Sequence, residues 1–105
     1  MAGDAVYGTG GIIESMKILV VDDEMRIARA IKQGLEQDGY AVDLAFDGED
    51  GYNAARADDY DVIILDVMMP EMNGYEVTQK LRSDGCKTPI IMLTAKDQGR
   101  EIDKG

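Results

Sequence analysis

The sequence predicts an α/β fold in which helices flank a parallel sheet, and three observations carry that expectation. Short apolar runs rich in β-branched residues alternate with stretches of helical period, the sequence sign of βα units. The run at 61–65 (DVIIL) is apolar on both faces, as a central parallel strand must be when helices cover both sides of the sheet. Acidic or hydroxyl residues stand directly after three of the runs, at the strand ends where open parallel sheets bind their ligands.

The elements follow in order. Lys17–Val21 (KILVV) is a first strand, and 24–38 is a helix whose Ile27, Ile31 and Leu35 recur every fourth residue on one face. Gly39 is placed to end that helix. Residues 41–46 alternate, with Val42, Leu44 and Phe46 on one side and Ala41, Asp43 and Ala45 on the other, which suits a strand near the sheet edge. A short helix over 47–57 leads to the central strand. Pro70 and Asn73-Gly74 then break the chain, Val77 and Leu81 mark a third helix, and that helix stops near Gly85. Pro89 precedes a fourth apolar run, Ile90–Leu93, and Asp97 is placed to cap a fourth helix that the sequence barely begins.

A length of 105 residues, 45% of them hydrophobic, suffices for one small domain. The formal charge of -10 opposes non-specific attraction to nucleic acid or anionic membrane, both of which need clustered Lys and Arg. Tyr7, Tyr40, Tyr52, Tyr60 and Tyr75 form no array on which bases would stack. The single Cys86 cannot form an internal disulfide, and the apolar runs are far shorter than the roughly 20 residues that span a bilayer, so a cytoplasmic protein is expected. Residues 1–15 are rich in Gly and small residues and read as an appended leader; Met16 is the expected natural start, and 16–105 the domain. Gly8-Thr9-Gly10-Gly11 is a weak phosphate-loop lookalike, with no strand before it and no helix after.

The three strand ends supply Asp22, Asp23 and Glu24, then Asp66, then Thr94, Ala95 and Lys96. If the strands are adjacent and parallel, these groups meet at one rim. Crowded carboxylates repel one another, and a hard divalent cation offsets the charge. Mg2+ takes oxygen ligands and characteristically binds one or two carboxylates together with a phosphate. With the ion in place, Asp66 can serve as a carboxylate nucleophile toward a phosphoryl group, forming an acyl phosphate.

The segments VVDDE (20–24), LDVMMPEMNG (65–74) and MLTAK (92–96) resemble the three signature segments of the receiver domains of two-component response regulators. The resemblance runs from Met16 to the end, and the flanking sequence is most like the OmpR/PhoB-like class, whose members carry a winged-helix DNA-binding domain. It implies a flavodoxin-like, doubly wound sheet of order 2-1-3-4-5. It also implies phosphorylation of Asp66 by a histidine kinase, with Asp23 and Asp66 contacting Mg2+ directly, Asp22 acting largely through water, and the Met68 backbone carbonyl as a further ligand. Thr94 would donate its hydroxyl to a phosphoryl oxygen and shift on activation, with Ala95 beside it; Met68 and Lys96 would tune loss of the phosphoryl group, and Pro70 and Gly74 would shape the acceptor loop.

Family members continue through a fourth helix, a fifth strand ending in a phosphoryl-pairing lysine, and a fifth helix. Here the sequence ends at Gly105, and Lys96 and Lys104 lie in the wrong segments to supply that lysine. A C-terminally truncated receiver is therefore expected, with its effector domain missing. Its Ile90–Leu93 strand would be an exposed apolar edge able to support a swapped or edge-paired homo-oligomer.

Simpler readings compete at several positions. Asp22 or Asp23 alone would be an ordinary solvated helix cap; their coincidence with Asp66 and Thr94 argues otherwise. Lys96 reads first as a surface lysine, Cys86 as an incidental thiol, and Met68, Met69 and Met72 as adaptable core filling. Two other functions stand beside the signalling domain. One is an assembly module that is never phosphorylated. The other is a haloacid-dehalogenase-type phosphatase, which wants a DxD pattern after the first strand where this sequence has DDE. No turnover of an external substrate is expected.

Overall fold

A computed structural model describes residues 15–93. Within them the chain runs β1 (Lys17–Val21), α1 (Met25–Gln37), β2 (Ala41–Ala45), α2 (Gly48–Ala57), β3 (Val62–Asp66), α3 (Gly74–Ser83) and β4 (Ile90–Leu93). The strands form one parallel sheet of order β2-β1-β3-β4. This is the doubly wound arrangement expected, with β2 at one edge. The chain moves from β1 to β2 on one side and then returns past β1 to place β3 on the other. Right-handed crossovers therefore put α1 on one face of the sheet and α2 and α3 on the opposite face.

The sheet divides two apolar layers. Leu19, Val21, Ile63 and Leu65 pack with Ala55, Met69, Val77 and Leu81 beneath α2 and α3. Ile18, Val20 and Val42 pack with Ala28, Ile31 and Leu35 beneath α1. Strand alternation explains the split: successive residues of β1 point to opposite layers, and both layers are covered, so the strand is apolar throughout.

Element boundaries differ slightly from expectation. Glu24 is the N-cap of α1 and lies outside it, Phe46 lies beyond β2, and Asp66 is the last residue of β3. Val42 and Ala45 are both buried although they face opposite ways, because each side of β2 meets a covered layer. Of the α1 stripe, Ile31 and Leu35 are half-buried and Ile27 is exposed; the fully buried residue is Ala28, whose small side chain lets the helix approach the sheet closely. Among the methionines, Met69 fills core and Met72 packs against it, whereas Met68 is exposed.

Both α1 and α3 end in the same way. Gly39 (φ 96°) and Gly85 (φ 87°) adopt the left-handed conformation, and the amides of Tyr40 and Cys86 then reach back to the carbonyls of Leu35 and Leu81. Such turns favour glycine because a Cβ would be strained there. Gly34 is different: it sits inside α1 with nothing within 4 Å of where a Cβ would stand. Gly34→Ala should raise stability by about 0.5–1 kcal/mol, read by chemical denaturation, since only backbone entropy changes.

At the N-terminal rim of the sheet, Tyr60 is buried, and its hydroxyl donates to Asp43 Oδ2 at 2.6 Å. Lys17 lies over its ring at 5.4 Å from the centroid and pairs with Asp58. Burial, and then the bond to Asp43, push the Tyr60 phenol well above its ordinary range. A raised folded-state pKa contributes stability that is complete below the unfolded value, about 10, and is lost as pH climbs above it toward the folded value. Tyr60→Phe should cost about 1 kcal/mol at neutral pH and flatten the decline of stability above pH ~10, measured by denaturation across alkaline buffers.

Candidate functional site

Parallel register brings the strand ends together. Val21 pairs with Leu65 across β1 and β3, so Asp22 and Asp66 stand one step further along adjacent strands. This is the place where strand order reverses, with β2 departing to one side of β1 and β3 lying on the other, and such switch points are the ligand-binding crevices of open α/β sheets.

Asp22 and Asp66 are both buried and Asp23 is exposed. One carboxylate oxygen from each lies within 4.8 Å of the others. Asp22 Oδ1 accepts the amide of Glu24 at 2.9 Å, which fixes the carboxylate at the entry to α1. The N-cap of α1 is itself acidic, Glu24, and no further acidic residue occupies the first turn. Asp66 Oδ1 accepts the amide of Met68 at 3.2 Å.

The loop after Asp66 is tightly folded. Val67 O accepts from both Met69 N and Gly74 N at 3.1 Å, Met72 N donates to Pro70 O at 2.7 Å, and Glu71 adopts a positive φ of 66°. Asn73 and Glu76 form a reciprocal capping box at the start of α3. A Cβ at Gly74 would stand 2.7 Å from Asp66 O and 2.9 Å from Val67 Cα, so the helix can abut the Asp66 backbone only with glycine there.

The donor set suits a hard divalent cation. Oxygens bound side by side on Mg2+ lie about 3 Å apart and opposed ones about 4 Å, given bond lengths near 2.1 Å. A span of up to 4.8 Å therefore accommodates two direct carboxylate ligands with the third reached through water. The Asp22, Asp23 and Asp66 cluster is the one predicted from the strand ends. Thr94, Ala95 and Lys96, like Asp97, lie outside the described residues. Sequence reasoning passed over Gly48, whose burial against the loop after Asp66 has no local signal beyond a glycine in a helix's first turn.

Fold and site together define a doubly wound α/β domain with a carboxylate pocket at its switch point. The family model for the response regulator receiver domain matches residues 18–105, and the chain belongs to that family. It is similar to the transcriptional regulatory protein PcoR of Escherichia coli, 45% identical over 89 residues that make up 85% of this chain and 39% of PcoR. It is also similar to the alkaline phosphatase synthesis transcriptional regulatory protein PhoP of Bacillus subtilis, 48% identical over 88 residues, 84% of this chain and 36% of PhoP. The chain thus spans well under half the length of these two relatives. Among solved structures, the receiver domain of the sensor histidine kinase PA1611 from Pseudomonas aeruginosa matches with a TM-score of 0.73 and 35% identity, covering 77% of this chain and 68% of that one. That receiver is described with a magnesium ion coordinated in its active-site cleft. Response regulator receivers are signalling domains of two-component systems. No helix among the described residues is long and apolar enough to cross a membrane.

Proposed function

We propose that this chain is a phosphoacceptor domain that receives a phosphoryl group from a histidine kinase on Asp66, with Mg2+ held by Asp23 and Asp66 directly, by Asp22 through water and by the Met68 carbonyl. The observation that carries the reading is the convergence of Asp22, Asp23 and Asp66 within 4.8 Å. An Asp66 oxygen attacks phosphorus in line as the bond to the donor nitrogen breaks, and the histidine leaves with its proton restored. Bound Mg2+ would supply charge neutralisation at the transferring oxygens. The buried carboxylate of Asp66 is held for that attack by the Met68 amide.

Thr94 is assigned the switching hydroxyl, with Ala95 and Lys96 beside the phosphoryl group. The domain is assigned to 16–105 with 1–15 as leader, the setting to the cytoplasm, and the output to a DNA-binding effector such as those of transcriptional regulators. Support for the effector comes from the relatives' transcriptional roles and from the part of their length this chain spans.

The test of the metal site is direct titration. Mg2+ should bind the parent chain measurably by calorimetry, and Asp23→Asn should weaken it at least tenfold, a change of about 1.4 kcal/mol for one lost charge-assisted ligand. Equal affinities would remove Asp23 from the ligand set.

A second reading, assembly without phosphorylation, draws on one observation. β4 is the outer strand of the described sheet, and Ile91 is 53% exposed on it. Such a strand invites pairing with a second copy of the chain. Light scattering that shows a monomer at high concentration would remove this reading.

A further inference from the structure

We infer that Gly48 is a positioning residue for the metal and phosphoryl site: the first turn of α2 seats against the backbone of the acceptor loop and holds that loop at the distance from β1 that cation binding requires. The inference rests on the proposed function and adds a residue that shares no atom with the ion or the phosphoryl group.

The geometry is specific. Gly48 is buried, and a Cβ there would collide with the Met72 carbonyl oxygen and stand 2.9 Å from Met72 Cβ and 3.1 Å from the Met72 carbonyl carbon. The obstacle is largely main chain, which cannot rotate out of the way as a side-chain tip can. Met72 belongs to the closed loop in which Met72 N bonds Pro70 O, and Gly74 N bonds Val67 O. A push on Met72 is therefore passed to the segment carrying Met68, whose amide holds Asp66.

The same helix turn also touches the other half of the site. A Cβ at Gly51 would stand 2.7 Å from Val21 Cγ1, and Val21 immediately precedes Asp22 and Asp23. Glycines at i and i+3 thus bring one helical turn against both carboxylate-bearing segments at once. The turn is kept in register by Asp47, whose Oδ1 accepts the Asp50 amide at 2.8 Å as the N-cap of α2. The helix turn acts as a spacer between the end of β1 and the acceptor loop.

The experiment compares Mg2+ affinity and unfolding midpoint in four variants of the full 105-residue chain. Gly48→Ala is expected to raise the Mg2+ Kd at least tenfold and to slow phosphoryl uptake from a small acyl phosphate. Val42→Ala, buried in the opposite layer near the start of β2 and so at the end of the sheet away from the site, is expected to lower the unfolding midpoint with Mg2+ Kd within twofold of the parent. Asp47→Ala, which frays the first turn of α2, should raise Kd about threefold or more, whereas Asp47→Asn removes the same charge but keeps the cap and should restore most of the affinity. If Gly48→Ala does not fold, the Asp47 pair decides the matter. A Kd unchanged in folded Gly48→Ala overturns the inference, and so does equal Kd in Asp47→Ala and Asp47→Asn. A parent chain that binds no Mg2+ instead overturns the proposed function, which keeps the two failures distinct.

Discussion

Asp66→Asn should abolish phosphoryl uptake completely: incubated with Mg2+ and a small acyl-phosphate donor, the parent gains the mass of one phosphoryl group and the variant gains none. The substitution is nearly isosteric, and its amide oxygen can still accept the Met68 amide that now bonds Asp66 Oδ1 at 3.2 Å. What it removes is the charge that makes the carboxylate a nucleophile and a cation ligand. Intact-mass spectrometry reads the result, and chelation by EDTA should silence the parent equally. Uptake by Asp66→Asn would move the acceptor elsewhere; an unlabelled parent that still binds Mg2+ would favour the assembly reading.

Leu19→Ala is expected to cost about 2–5 kcal/mol, the range for emptying a leucine-sized space in a packed interior. Leu19 is wholly buried in the middle of β1, and it packs in the same layer as Ile63, Leu65 and Leu81 beneath α2 and α3. Since small domains hold only about 5–15 kcal/mol in total, this one change should leave the fold marginal. Urea unfolding should show a lower midpoint at unchanged slope. The same strand leads into Asp22 and Asp23, so Mg2+ should restore part of the midpoint if the folded state alone binds the ion. A loss below about 1 kcal/mol would mean that the layer closes over the gap far better than packed interiors usually do.

Much of the fold was legible because the relevant signals are local. The four-residue recurrence of Ile27, Ile31 and Leu35, the β-branched runs at β1 and β3, and the glycines at 39 and 85 each report on their own few neighbours. The candidate site was half legible for the same reason. Asp22, Asp23 and Asp66 could be placed at strand ends from the runs before them, and the resemblance to receivers joined them to one function.

What the sequence by itself determined, then, is the order and kind of the elements from β1 to β4 and the carboxylates at the ends of β1 and β3. The resemblance to receivers already implied that β1 lies between β2 and β3, and the tertiary structure added the register that makes Asp22 and Asp66 neighbours across two hydrogen-bonded strands. Only the tertiary structure decided that Ala28 rather than Ile27 is the buried contact of α1, and that Gly48 bears on Met72. The physical reason is one of range. Periodicity and turn chemistry are set by residues a few positions apart, whereas strand order, register and the close approach of two backbones depend on hydrogen bonds and packing between segments distant in the chain.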